Sequence, residues 1–187
     1  NMTDIRTIKT MQAIREAFIN MIIEKNNVFF SIKEIADRAK INRKTFYLHF
    51  ECIEDLYNDL EDATEEKLLE ILEKNNFFSS NLSLEVFLHS ILELINTNYP
   101  LYHKLLIQDN YKFLFRNVKN KVKKQIFEEL KIENDLKNEL LFEYVSSGLM
   151  KMFRVWANEK DKMSEEELLK TAYQIMQFGI NGLSTEK

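Results

Sequence analysis

Few side chains in this sequence are spaced for covalent chemistry. His49, His89 and His103 stand far apart with no metal-ligand spacing, and Cys52 has no obvious base near it in sequence. A single cysteine excludes an internal disulfide framework and a cysteine-rich metal site. Gly148, Gly179 and Gly182 cannot make a phosphate-cradling loop. The acid pairs Glu65-Glu66 and Glu128-Glu129 read as solvated helix faces rather than acid/base pairs. The expectation is a protein that is not an enzyme and needs neither cofactor nor metal. What carries chemistry is a short positive run that includes Lys44, Thr45 and Tyr47. Lys can donate to guanine edges or to phosphate, Thr and Tyr hydroxyls donate to phosphate, and the first amides of a helix favour an anion. Such groups bind a polyanion; they do not make or break bonds.

The charge distribution allows that reading without demanding it. Formal net charge is -4, yet residues 1–50 hold nine Lys/Arg against five acids, so residues 51–187 carry the compensating -8. Residues 51–73 are the most acidic stretch, with ten acids against Lys67 alone. A positive head on a negative body presents one end to a polyanion and repels it elsewhere.

The elements that must position the run are helical. With 3 Gly and 1 Pro in 187 residues, tight turns are scarce and hairpin-rich β architectures are unfavourable. Ile8, Met11, Ile14, Phe18, Met21 and Ile22 recur with a helical period, which predicts one amphipathic helix ending near Asn26-Asn27, with Arg15, Glu16 and Lys25 toward water. Ser31 and Glu34 form a capping box, stapled by Phe30 and Ile35, that starts a short helix reaching about Ala39. After a tight break at Ile41-Asn42, Asn42 caps a third helix over 43–50, with Phe46 and Phe50 inward at i and i+4. The last two helices make a helix-turn-helix, whose second member enters the major groove by its N-terminal end. On these residues alone, a small helical subdomain with a solvated basic face remains the competing reading.

The segment from Ser31 to Phe50, and above all Thr45-Phe46-Tyr47-Leu48-His49-Phe50 followed by Glu54-Asp55-Leu56, resembles the DNA-binding domain of the tetracycline-repressor (TetR) family of bacterial regulators. The resemblance covers roughly residues 8–56. It implies an all-α fold, with a three-helix DNA-reading head (1–52) and a helical effector-binding and dimerisation body (53–187). It also implies that Ser31 and Lys33 touch phosphate, that Asn42, Arg43 and Lys44 face base edges, and that Thr45, Tyr47 and His49 chiefly hold phosphates. Ile35, Ala36, Ala39, Ile41, Phe46 and Phe50 would form the core of the head. Two departures stand out. Lys40 occupies a turn position where the family usually has Gly, so either a left-handed residue is strained there or the turn differs. Cys52 and Ile53 replace a capping hydroxyl and a phosphate-contacting Lys, although Asp55 can still favour the helix start.

The body reads as further helices. One runs over 53–75 with Leu56, Leu60, Ala63, Leu68, Ile71 and Leu72 inward, and another runs over 82–96. Pro100 suits the first turn of the next helix, before a loop or kink at 108–110. Residues 112–131 carry seven Lys/Arg and two acids, and read as an amphipathic helix with a solvated basic face rather than a second nucleic-acid patch. Tyr99, Tyr102, His103, Asn110 and Trp156 can line a small-molecule pocket or make a satisfied structural network. The layout of 98–102, Gly148, Trp156 and 166–168 is similar to a subgroup of these regulators that includes the activator of dihydroxyacetone kinase genes.

Two C-terminal stripes bear on self-association. Leu141, Val145, Gly148 and Met152 lie on one helix; Ala172, Ile175, Met176 and Gly179 lie on the next, begun by a second capping box at Ser164 and Glu167. Two such helices from each subunit can close a four-helix interface, as the family's do; the alternative is that both stripes are internal core. No apolar run of twenty residues and no basic-apolar leader stands in the chain, so a cytoplasmic protein without a membrane partner is expected. The combined expectation is a homodimeric regulator of transcription that binds double-stranded operator DNA and answers to a small-molecule effector or a protein coactivator. The other class considered is a helical protein-interaction module whose head binds DNA weakly.

Overall fold

The computed structural model describes residues 2–26, 29–79 and 83–178. Nine α-helices, and no strand, occur among them. Helices α1 (Met2–Glu24), α2 (Ile32–Arg38) and α3 (Arg43–Tyr47) make the head. The body comprises α4 (Ile53–Lys74), α5 (Leu84–Thr97), α6 (Tyr99–Ile107), α7 (Lys112–Glu129), α8 (Leu136–Asn158) and α9 (Glu165–Phe178). No described helix is long and apolar enough to cross a membrane.

Local capping explains where these helices start. The Ser31 hydroxyl accepts from the Glu34 amide at 3.2 Å while the Glu34 carboxylate accepts from the Ser31 amide at 2.9 Å. The Ser164–Glu167 box before α9 repeats this geometry. Ser83, Asn98 and Asp135 cap α5, α6 and α8, and Pro100 sits in the first turn of α6, where its missing amide proton costs little. At α4 the Asp55 carboxylate accepts from the amides of Glu51 and Cys52 at 2.7 and 3.2 Å.

The turn between α2 and α3 is a Schellman motif closed by a lysine. Lys40 has φ 56°, its amide donates to Asp37, and the Ile41 amide donates to Ala36. A β-carbon in the left-handed region is unfavourable by roughly 1–2 kcal/mol. Lys40→Gly is therefore expected to stabilise the protein by roughly 0.5–1 kcal/mol, and to raise the unfolding temperature by about 1–4 °C in a calorimetric scan. An unchanged or lower midpoint would show that the lysine is not strained.

Head and body share one core. The rings of Phe30, Phe18, Tyr57 and Phe113 meet edge-to-face in series, with centroids 5.7, 4.9 and 5.3 Å apart, and so run from the head into α4 and α7. Two polar ties reinforce this junction. Arg15 grips Asp59 of α4 with two hydrogen bonds of 2.7 and 2.5 Å. Asn26 accepts from Lys104 and Gln108 at the end of α6.

Several expected faces are corrected. Arg15 does not simply face water, because α4 brings Asp59 within reach of it. Ile8 is exposed on the N-terminal part of α1. Ala63 is exposed too, while Glu61 and Thr64 are buried: α7 packs there and supplies Asn117, whose amide donates to Glu61 at 2.8 Å, and Thr64 bonds back to the Leu60 carbonyl. The basic face of α7 is largely neutralised rather than solvated. Lys119 and Lys123 hold Glu143 and Glu139 of α8, and Lys121 holds Asp62 of α4. Helix α3 is shorter than expected, ending at Tyr47, because its last turn tightens to i→i+3 bonds from Leu48 and His49. Leu82 lies outside the described residues.

Candidate nucleic-acid interface

Helix α3 is placed from beneath. Phe46 and Phe50 are buried, 5.8 Å apart, and join Ile35, Ala36 and Phe30 in the core of the head; Ala39 and Ile41 are half-buried against it. Asn42 caps the helix, its side-chain oxygen accepting from the Thr45 amide at 2.8 Å and from the Thr45 hydroxyl at 3.0 Å. The NH₂ group of Asn42 is not used by the cap. With the apolar side anchored, Arg43, Lys44 and Tyr47 stand exposed and His49 is half-buried.

The head's charges separate into paired and unpaired sets. Lys25 pairs with Glu34 and Arg38 pairs with Glu24, which ties α2 to the end of α1. Lys25, followed by the amide and hydroxyl of Ser31, draws the Glu34 carboxyl down to about 2. Lys33, Lys40, Arg43 and Lys44 have no ion-pair partner among the described residues. The outward surface of α2, the turn and α3 is accordingly positive.

The expected contact residues divide by what their donors already do. Lys33, Arg43, Lys44 and Tyr47 present uncommitted donors at the surface. The Ser31 hydroxyl proton and amide both go to Glu34, and the Thr45 hydroxyl goes to Asn42, so these groups shape the helix starts. Sequence reasoning did not single out Leu48, which is 80% exposed at the end of α3. Its signal was its position between Phe46 and Phe50, on the side those rings do not occupy.

The five residues expected around an effector do not converge. Tyr99 and His103 stack at 5.3 Å, His103 Nε2 lies 3.1 Å from the Ala157 carbonyl, and buried Trp156 donates to the Met163 carbonyl at 2.9 Å. Lys160 closes this group, with its ammonium 3.9 Å from the Tyr99 ring centroid and 5.3 Å from that of Trp156. The arrangement is a satisfied network joining α6 to the α8–α9 junction. Asn110 is exposed in a 3₁₀ turn. Tyr102 turns inward and lines a narrow apolar cavity of about 80 Å³ with Phe87, Phe115, Phe142, Met150 and Phe153. Burial raises the Tyr102 phenol above its ordinary range.

At the far side of the body, α8 leaves an apolar face open. Leu141, Tyr144 and Val155 are 59%, 73% and 52% exposed. A β-carbon added at Gly148, in the middle of that face, would meet nothing within 4 Å. Val145, Met152, Ile175 and Met176 are half-buried, whereas Ala172 is fully enclosed by its own chain and Gly179 lies outside the described residues. Among the described residues no group of three or more His, Cys, Asp or Glu is placed to hold a metal ion.

This combination defines an all-helical class: a helix-turn-helix head fused through one core to a six-helix body. Among solved structures, the chain is similar to a TetR transcriptional regulator from Streptococcus agalactiae 2603V, at 22% identity and a TM-score of 0.72, covering 94% of this chain and 97% of that one. It also aligns with the TetR-like transcriptional regulator LfrR from Mycobacterium smegmatis at 14% identity and a TM-score of 0.46, over 91% and 95% of the two chains. No protein-family model and no curated protein matches the sequence. The fold is thus TetR-like along nearly its whole length.

Proposed function

We propose that the protein is a DNA-binding regulator of transcription that acts in the cytoplasm as a homodimer. In this reading residues 1–52 read the duplex, and residues 53–187 dimerise and take up an effector or a partner protein. The observation that carries it is α3: pinned by Phe46 and Phe50, and presenting Arg43, Lys44 and Tyr47, unpaired and exposed, on a chain whose net charge is -4. Asn42, Arg43 and Lys44 would meet base edges, Lys33, Tyr47 and His49 would meet phosphate, and Leu48 could contact a thymine methyl group. Two heads related by a twofold axis would engage successive major grooves about 34 Å apart.

An effector can alter DNA affinity only if it binds one arrangement of the heads better than the other. The inner cavity suits that role physically, since its wall includes Thr64 of α4 and Leu106 of α6, two helices that grip the head through Asp59 and Lys104.

The test starts with duplexes selected from a randomised pool, followed by affinity measurements over a salt series. Affinity for the selected duplex is expected to fall steeply with salt and to exceed that for scrambled duplex about a thousandfold or more. Arg43→Ala and Lys44→Ala should each cost about 1–3 kcal/mol if they contact bases, relaxing specificity at their positions; Tyr47→Phe should weaken all sequences alike. Equal affinity for selected and scrambled DNA would end this reading in favour of a helical interaction module. That alternative draws on the absence of a lysine at position 53 and on the committed hydroxyls of Ser31 and Thr45.

A further inference from the structure

Beside the inner cavity lies a wider, more open cleft of about 350 Å³ between α6, α7 and α8. Its floor is apolar, made by Leu105, Leu106, Phe115 and Met150, and its rim is basic, made by Lys112, Arg116, Lys119, Lys151 and Arg154. Two carboxylates answer these five cations. Asp109 takes Lys112 and Arg154, and Glu143 takes Lys119. Arg116 and Lys151 are exposed and have no ion-pair partner among the described residues. The rim therefore keeps an excess of positive charge on a body that is negative overall.

Cleft and cavity share Leu106, Phe115, Lys119 and Met150 as walls. Phe115 and Met150 are half-buried, and an unbranched Met side chain repacks readily, so a rotamer change at this wall would join the two spaces. The joined site would be apolar at its inner end, against Phe87, Phe142 and Phe153, and cationic at its mouth. Neutral apolar ligands would leave the two free cations unanswered, and a bare anion would leave the cavity unfilled.

We propose that this site binds an anionic amphiphile, an apolar chain or ring with one terminal carboxylate or phosphate, whose head meets Arg116 and Lys151 while its tail passes Phe115 into the inner cavity. The assignment rests on the regulator reading for its biological use, since it names the class of effector, but the binding itself can be measured without DNA. Trp156, the single tryptophan, has its ring 6.5 Å from that of Phe153, a cavity residue, and so reports on the inner end.

The full-length protein should be titrated with decanoate, decyl phosphate, decanol and inorganic phosphate, following tryptophan emission and heat. One or both anionic amphiphiles should bind saturably, about tenfold or more tighter than decanol, and inorganic phosphate should be weaker still. Which of the two binds tighter identifies the head group. Arg116→Ala and Lys151→Ala, both surface changes, should each lose about tenfold for the anions and leave decanol unaffected. Met150→Trp, followed by heat alone because it adds a second tryptophan, should block the tail and abolish the distinction. Equal binding of decanol and decanoate, indifference to the charge variants, or no binding by either amphiphile would overturn the proposal. Operator binding, measured separately, distinguishes its failure from that of the regulator reading: a site that binds amphiphile on a protein that ignores DNA sequence sinks only the latter.

Discussion

Phe46→Ala is expected to unfold α2 and α3 and to remove the proposed sequence-specific DNA binding while α1 and the body stay folded. Helix α3 has five residues, far fewer than the twelve or so an isolated helix needs to persist in water, so packing rather than propensity holds it. Phe46 is fully buried and touches the ring of Phe50, and its truncation should cost about 3–5 kcal/mol through lost transfer energy and the cavity left behind. That is a large share of the roughly 5–15 kcal/mol that stabilises a whole domain. Amide exchange in residues 32–50 should rise sharply, with protection in α5 and α8 retained. Phe46→Leu, which refills part of the space, should cost less and keep measurable operator binding. Operator affinity within threefold of the parent in the alanine variant would show that α3 is not the reading element.

The parts that sequence reasoning reached are those governed by neighbours a few residues away. The helix starts at Ser31, Asn42 and Ser164 were legible because a cap is a contact between residues three apart, and the structure forms those bonds; Pro100 was legible because a first turn does not need its missing amide proton. The turn was legible only as two alternatives, a strained left-handed residue or a different turn, and Lys40 takes the first at φ 56°. The head core followed from helical period alone, since Ile35, Phe46 and Phe50 have no other way to leave water.

What escaped was set by which helices meet. The inward residues of α4 depend on where α7 lies, and only the packed chain shows that Thr64 and Glu61, not Ala63, face it. Lysines on α7 looked solvated because their acids, Asp62, Glu139 and Glu143, are 16 to 59 positions away in sequence. The same holds for the cavity, whose lining runs from Thr64 to Phe153 across five helices. Tyr99, Tyr102 and His103 are close in sequence on one helix, yet Tyr102 turns to the cavity while the other two join Trp156 and Lys160.

Gly148→Arg should turn the proposed dimer into a monomer without harming the fold. At about 100° per residue, Leu141, Tyr144, Gly148, Met152 and Val155 fall within an arc of roughly 80° on α8. Most of that arc is open to solvent in the single chain, and the glycine lies at its centre with nothing near it. Glycine inside a helix costs about 1 kcal/mol relative to alanine, so arginine there should make the isolated chain slightly more stable. In a twofold interface the new guanidinium would appear twice near the axis, charged, bulky and desolvated. The dissociation constant from sedimentation equilibrium should rise about a hundredfold or more, equivalent to roughly 2.7 kcal/mol. Affinity for a two-site operator should fall with it, because one head alone neutralises half the phosphates and gains nothing from the second groove. Gly148→Ala, adding one methyl group, should keep the dimer. A dimer that survives the arginine with unchanged affinity would place the contact on another face of the body, and the open stripe of α8 would then need a different partner.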